Sequence, residues 1–235
     1  MSNVSYNFSN KHTVVVGGSY GIGSSIVSSF LKSGCSVSYL SRSKNESSEA
    51  IHYKCDIGKH EEIKTVFSKF DKIDFLINVA ATNYCKKINE IDLKEWEEVI
   101  NVNLTSFYLT SKLSIEKMSK GSRIINYSSI AGRNKSIVSG VHYTSSKAGI
   151  IGLTRQLAHE LGPTGINVNC VCPSQTLSPM LKNSMSDQEL ENLSKGIPLK
   201  RIANCEEQAK ISLFLCSSDA SYITGAVIDV NGGQL

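Results

Sequence analysis

The sequence predicts a doubly wound α/β fold, one mostly parallel, seven-stranded sheet with helices on both faces. Two observations carry this first. Short runs that are apolar throughout, such as Val14–Val16 and Phe75–Ile77, read as strands buried on both faces, the environment of a helix-covered parallel sheet. They alternate with segments of helical period along the whole chain, without repeats or low-complexity tracts. A third is the glycine-rich turn Gly17-Gly-Ser-Tyr-Gly21-Ile-Gly23 between the first strand and the first helix. With 235 residues the chain suits one domain with an ample core. Residues 1–10 are polar and read as a loose tail, leaving 11–235 as the domain.

The first strand, Thr13–Gly17, runs through that turn into a helical pattern (Ile26, Val27, Phe30, Leu31) closed by Gly34. This order suits a dinucleotide pyrophosphate. Glycines allow a tight turn and close backbone approach, and the helix start offers free N–H groups. Gly17, Ser19, Tyr20, Gly21, Ile22 and Gly23 are the candidate cradle. The second strand, Ser36–Leu40, ends at Ser41-Arg42-Ser43, and no acidic residue occurs from Ser24 to Asn45. A site for NAD normally places a carboxylate here to bind the ribose 2′-hydroxyl. Arg42 beside Ser41 suits a 2′-phosphate instead, so NADP(H) is favoured over NAD(H).

Only about ten residues lead to the third strand, Ile51–Cys55, too few for a full crossover helix, so none or a single turn is expected. Asp56, followed by Ile57, ends that strand. It is a candidate for the adenine amino group or for the cap of a helix over Lys59–Phe70. The fourth strand, Asp74–Asn78, leads into Val79-Ala80-Ala81, with Asn78 and Ala80 as candidate cofactor neighbours. One long helix is predicted from Leu93 to about Met118, with Trp96 in the core. Asn103 stands inside its apolar stretch, where a buried amide must find partners.

The fifth strand, Arg123–Tyr127, opens into Ser128-Ser129-Ile130-Ala131-Gly132. After a polar loop, Tyr143 and Lys147 stand four residues apart at the start of a helical pattern, on one face. A phenol with an ordinary pKa near 10 exchanges protons poorly at neutral pH. An ammonium at about 4 Å stabilises its phenolate by roughly 4 kcal/mol at an effective dielectric of about 20. That would bring the phenol to about 7, where acid–base catalysis works best. Ser129 supplies a second hydroxyl to hold a carbonyl oxygen. The sixth strand, Ile166–Cys172, is closed by Pro173. Residues 174–199, with Leu177, Leu181, Met185, Leu190 and Leu193, read as an apolar lid containing a short helix capped by Ser186-Asp-Gln-Glu189. A helix over Glu206–Cys216 and a strand over Ala226–Val230 complete the chain.

A net charge of +4, spread along the chain, gives no argument for nucleic acid. Seven cysteines without a Cys-x-x-Cys pair point to a reducing, cytoplasmic compartment. No run approaches a membrane span and no signal-peptide core is seen, so no membrane association is expected. The five histidines are scattered, and no metal site is predicted.

These elements together resemble the short-chain dehydrogenase/reductase family from Val14 to the end of the chain. The matches are Gly17-x-x-x-Gly21-Ile-Gly23, Asp56, Asn78-Val-Ala-Ala81, Asn103, Ser129, Tyr143-x-x-x-Lys147, Pro173 and Tyr222-Ile-Thr-Gly225…Gly232-Gly233. The resemblance implies a Rossmann-type fold and a catalytic set of Asn103, Ser129, Tyr143 and Lys147. In it Tyr143 donates the proton, Lys147 lowers the phenol pKa and binds the nicotinamide ribose, Ser129 orients the carbonyl, and Asn103 holds a water chain toward Lys147. It also implies that Tyr143, Lys147, Pro173, Ser174, Thr176 and Ser178 meet the cofactor. Homotetramers or homodimers through the helices near Leu93 and Tyr143 are implied as well. The sequence departs from the family at Val16, Ala81, Ser174 and Ser178, none of which removes a catalytic group.

Segments such as Ile197-Pro-Leu-Lys-Arg201 resemble 3-oxoacyl-(acyl-carrier-protein) reductases, implying an NADPH-dependent ketoreductase of a 3-oxoacyl thioester. An acyl carrier protein would need a basic docking face, with Arg133, Lys135, Lys182, Lys195, Lys200 and Arg201 as candidates. Alternatives are a free small ketone or alcohol (sugar, polyol, steroid or secondary metabolite) as substrate, or a dinucleotide-binding regulator without turnover.

Overall fold

The computed structural model describes residues 4–182 and 185–235, the side chain of Met180 excepted. Seven strands form one sheet: β1 His12–Val16, β2 Ser36–Ser41, β3 Ile51–Lys54, β4 Phe75–Asn78, β5 Arg123–Tyr127, β6 Asn167–Pro173 and β7 Val227–Val230. Their order is β3-β2-β1-β4-β5-β6-β7, and every neighbouring pair is parallel. The winding reverses between β1 and β4. This places a crevice at the carboxyl ends of the central strands, where such sheets bind ligands.

Nine α-helices surround the sheet: α1 Gly21–Lys32, α2 His60–Phe67, α3 Leu93–Ile100, α4 Ser106–Ile115, α5 Ile130–Arg133, α6 Val141–Leu161, α7 Pro179–Lys182, α8 Asp187–Lys195 and α9 Cys205–Cys216, among the described residues. Strand side chains alternate between faces, and each face has its own core. Val15, Ile77, Ile125 and Val171 pack with Ile26 and Phe30 of α1 and Ala209 and Leu215 of α9. Val14, Val16, Leu76, Ile124 and Val168 pack with Ile63 and Phe67 of α2 and Ala158 and Leu161 of α6. No helix lies between β2 and β3, as their short separation predicts. No described helix is long and apolar enough to cross a membrane.

Three expectations are corrected. The segment read as a loose tail is docked from Tyr6 onward. Phe8 stacks on Phe30 and meets Phe75 edge-on, and its N–H donates to Ser33 O at 2.7 Å. The aromatic ring, placed among polar neighbours, finds the gap between α1 and β4. The expected single helix over Leu93–Met118 is two helices, α3 and α4, joined by a π turn at Asn101–Thr105. There the Ser106 N–H reaches Asn101 O, and the inserted residue turns Asn103 into the interior. Asp56 does not cap α2. Its Oδ1 accepts from Gly58 N at 3.0 Å, and Lys59 stands at the cap without a side-chain bond.

Phe8→Ala is expected to destabilise the fold by about 3 kcal/mol in urea unfolding, as for a buried aromatic. An unchanged midpoint would mean that the segment is not anchored through this ring.

Candidate active site

A cavity of about 1240 Å³ opens at the carboxyl ends of the strands. It is lined by Gly17, Ser19, Tyr20, Gly21, Ile22 and Gly23 after β1, by Ser41 and Arg42 after β2, and by Asp56 and Ile57 after β3. Ala80, Ser129, Tyr143, Lys147, Pro173, Ser174, Thr176 and Ser178 complete the predicted set. Strand ends scattered over 160 residues of sequence thus meet in one crevice because their parallel order brings every carboxyl end to the same side.

The cradle is built by absent side chains. Gly17 has φ +98°, and a Cβ there would lie 2.7 Å from the Ala80 backbone. A Cβ on Gly23 would fall 1.9 Å from Gly17 O. The N-terminus of α1 has no side-chain cap and no acidic residue in its first turn, so its N–H groups and positive dipole end remain for an anion. The exposed Arg42 pairs with no acid among the described residues. Its loop is framed from behind. Ser41 Oγ donates to Ser43 O at 2.6 Å, His52 Nε2 lies 3.1 Å from Ser41 O, and Asn45 N donates to Tyr39 Oη at 2.9 Å. These residues fit a dinucleotide. The glycine cradle and α1 would hold its pyrophosphate, and Ser41 and Arg42 its adenosine end. Bound nicotinamide would supply or accept hydride.

Ser129 stands where β5 gives way to α5, and its Oγ accepts from Ala131 N at 3.1 Å. The Ser129 hydroxyl lies near enough to the Tyr143 phenol to lower its pKa. Lys147, 2 % exposed, donates from Nζ to Tyr127 O at 2.9 Å and lies 5.5 Å from the centroid of the Tyr143 ring. Burial pushes the Tyr143 phenol up to about 12, against the lowering effect of the Ser129 hydroxyl. Burial also pulls the Lys147 ammonium down to about 8, partly offset by the neighbouring Cys170 and Cys172.

The expectation that Lys147 draws the phenol toward 7 is therefore corrected for this arrangement. One of its N–H groups goes to a backbone carbonyl, and desolvation dominates both groups. The phenol therefore carries its proton at neutral pH, and would release it only to an oxygen that becomes strongly basic as the carbonyl is reduced. Together with Ser129, it offers two hydroxyls to one carbonyl oxygen, and loss of the proton to that oxygen would leave a phenolate beside a lysine.

Two predicted site residues do not line the cavity. Asn78 is fully buried, with Nδ2 donating to Asn126 Oδ1 at 2.9 Å and Oδ1 accepting from Thr110 at 2.8 Å. The alternation of β4 turns it between the sheet and α4, away from any cofactor. Asn103 is also fully buried. Its Oδ1 accepts from Thr82 N at 2.8 Å, and its Nδ2 donates to Thr82 O at 2.9 Å and Ser146 Oγ at 3.1 Å. Its amide clamps the loop after β4 and does not reach the cavity wall. Conversely, Thr82, Asn83, Tyr84, Glu98 and residues 134–139 form cavity wall that sequence reading missed. They carry no spacing signal, because loops acquire their neighbours only from the tertiary fold. No described cluster of His, Cys, Asp or Glu could hold a metal ion.

Fold, cradle and the serine–tyrosine–lysine cluster define an NAD(P)-dependent oxidoreductase acting on CH–OH groups. Residues 16–234 match the family model described as enoyl-(acyl carrier protein) reductase. A 3-oxoacyl-[acyl-carrier-protein] reductase of Aquifex aeolicus is 36% identical over 95% of this chain and 97% of its own. An acetoacetyl-CoA reductase of Rhizobium meliloti is 33% identical over 94% and 97% respectively. Among solved structures, the aldohexose dehydrogenase of Thermoplasma acidophilum superposes with a TM-score of 0.89 at 29% identity, covering 96% of this chain and 94% of that one. The chain belongs to the short-chain dehydrogenase/reductase family.

Lysine-selective NMR should show the Lys147 ammonium titrating at about 8, well below an ordinary lysine at 10.5. A folded-state value below the unfolded one means that this charge destabilises the fold fully below pH 8, and that the penalty fades as pH rises from about 8 toward 10.5. The unfolding free energy of Lys147→Met relative to the native chain should therefore fall across that window; a pH-independent difference would refute the burial argument.

Proposed function

We propose that the protein reduces the keto group of a 3-oxoacyl thioester, carried by an acyl carrier protein or coenzyme A, with NADPH as the donor. The observation that carries this reading is the gathering of Ser129, Tyr143 and Lys147 on the wall of the same cavity that holds the glycine cradle and Arg42. The reductases of 3-oxoacyl carriers and acetoacetyl-CoA among the relatives support the thioester, as do the apolar Leu181 and Met185 along the cavity. The unpaired Arg42 and the acid-free α1 entrance support NADPH.

The proposed docking face narrows. Arg133 pairs with Asp229, Lys195 with Glu191 and Arg201 with Glu207, and Lys200 Nζ donates to Lys195 O. Of the six candidate cations, Lys135 and Lys182 are the ones left for an acidic carrier among the described residues, and Lys135 is on the cavity wall. The exposed Leu93, Tyr108 and Val141, on α3, α4 and α6, support assembly into a homodimer or homotetramer. A second reading, a free hydroxylated ketone, draws on the polar side chains of Asn83, Ser136, Ser139 and Gln175 on the cavity wall. The likeness to an aldohexose dehydrogenase also favours it. The free thiols support operation in a reducing, cytoplasmic compartment.

Acetoacetyl thioesters of coenzyme A and of acyl carrier protein, assayed beside sugars and cyclic ketones, test the substrate; turnover of the latter group alone would discard the thioester. Tyr143→Phe should abolish turnover, and undiminished activity would overturn the proton-donor assignment. NADPH should exceed NADH by about tenfold in kcat/KM, on the order of 1.4 kcal/mol, and Arg42→Ala should narrow the gap. Equal use of both cofactors by the native chain would refute the preference.

A further inference from the structure

α6 carries Tyr143 in its first turn, where backbone N–H groups have no partner within the helix. Such a turn is usually held by a serine, threonine, aspartate or asparagine at the cap. Here the cap is Gly140, which has no side chain to offer. The missing acceptor comes from inside the helix. His142 is fully buried, and its Nδ1 accepts the N–H of Tyr143 at 2.8 Å. Its Nε2 lies 3.2 Å from Glu95 Oε1 of α3. Glu95 is fixed in turn by Lys86, and its N–H is capped by Asp92 Oδ1 at 2.8 Å. The only tautomer that satisfies both bonds is neutral, with the hydrogen on Nε2 toward the carboxylate. The glycine belongs to the same device: a Cβ at position 140 would lie 2.6 Å from His142 Cε1 and 2.9 Å from Nδ1.

We propose that His142 is a positioning residue for the reaction: as internal cap of α6 it fixes the backbone of Tyr143, and so the phenol, against α3. The opposite side of the same residue is held by Ser146, whose Oγ donates to Tyr143 O at 2.7 Å. The N–H side has no support but the imidazole. Without it the first turn frays, and the phenol loses its place relative to Ser129.

The two ring nitrogens can be tested separately. In His142→Asn the amide oxygen occupies the position of Nδ1 and can accept the Tyr143 N–H, but nothing reaches Glu95. In His142→Gln the amide reaches Glu95 but not that N–H, and His142→Ala loses both. The Ala and Gln variants should lose about tenfold in kcat with cofactor KM unchanged, whereas Asn recovers most of it. Amide exchange over residues 140–146 should show Tyr143 N–H about tenfold less protected in Ala and Gln than in Asn or the native chain. Thermal unfolding of each variant separates this from a general loss of fold. An Ala variant as fast as the native chain, or an Asn variant as slow and as unprotected as Ala, would overturn the proposal. The kinetic arm rests on Tyr143 as proton donor. Tyr143→Phe, run alongside, tests that assignment by itself, while the exchange measurement judges His142 whichever way it falls.

Discussion

α5, the short helix that follows β5, approaches α6 more closely than two side-chain-bearing segments can, and the active site depends on that approach. A Cβ on Gly132 would lie 2.6 Å from the carbonyl carbon and oxygen of Lys147. Ser128, just past β5, uses the space to donate its Oγ to that carbonyl at 2.7 Å. One hydroxyl and one absent methyl group thus dock the end of the strand onto the helix one turn beyond Tyr143. Ser129, the next residue, is thereby carried to the phenol. Any larger residue at 132 would act through this seam, spreading Ser129 from Tyr143 with no change in either group.

The seam is continued by buried amides rather than by apolar packing. Asn126 of β5 donates to Thr154 of α6 at 3.1 Å and accepts from Asn78 of β4, which accepts from Thr110 of α4. Unsatisfied buried polar groups are expensive, so this ladder admits one arrangement of two strands and two helices. Asn103 does similar work at the π turn, binding both backbone groups of Thr82. Both asparagines thus brace the frame around the site, on which Ser129, Tyr143 and Lys147 are presented to the cavity.

What the sequence made legible follows from how local each signal is. The glycine turn, the Tyr143–Lys147 spacing and the capping box at Ser186 depend on neighbours within a few residues, and all three sit where they were expected. The short link between β2 and β3 left room for at most a single helical turn by length alone, and none is present. Phe8 was hidden because a single ring carries no periodicity. The π turn was hidden because one extra residue hardly disturbs an apolar helical pattern. His142 looked like one scattered histidine among five, since Glu95 lies 47 residues away. The ionisation of Tyr143 was misjudged for another reason: spacing gives the distance between two groups but not how far each is removed from water.

Both margins of the sheet are brief. β3 and β7 have four residues each, and charged side chains, Lys54 and Asp229, stand on them. A foreign strand adding itself at either rim would gain only a few backbone hydrogen bonds before running out of template. Short, charged rims thus guard this parallel sheet against edge-to-edge aggregation.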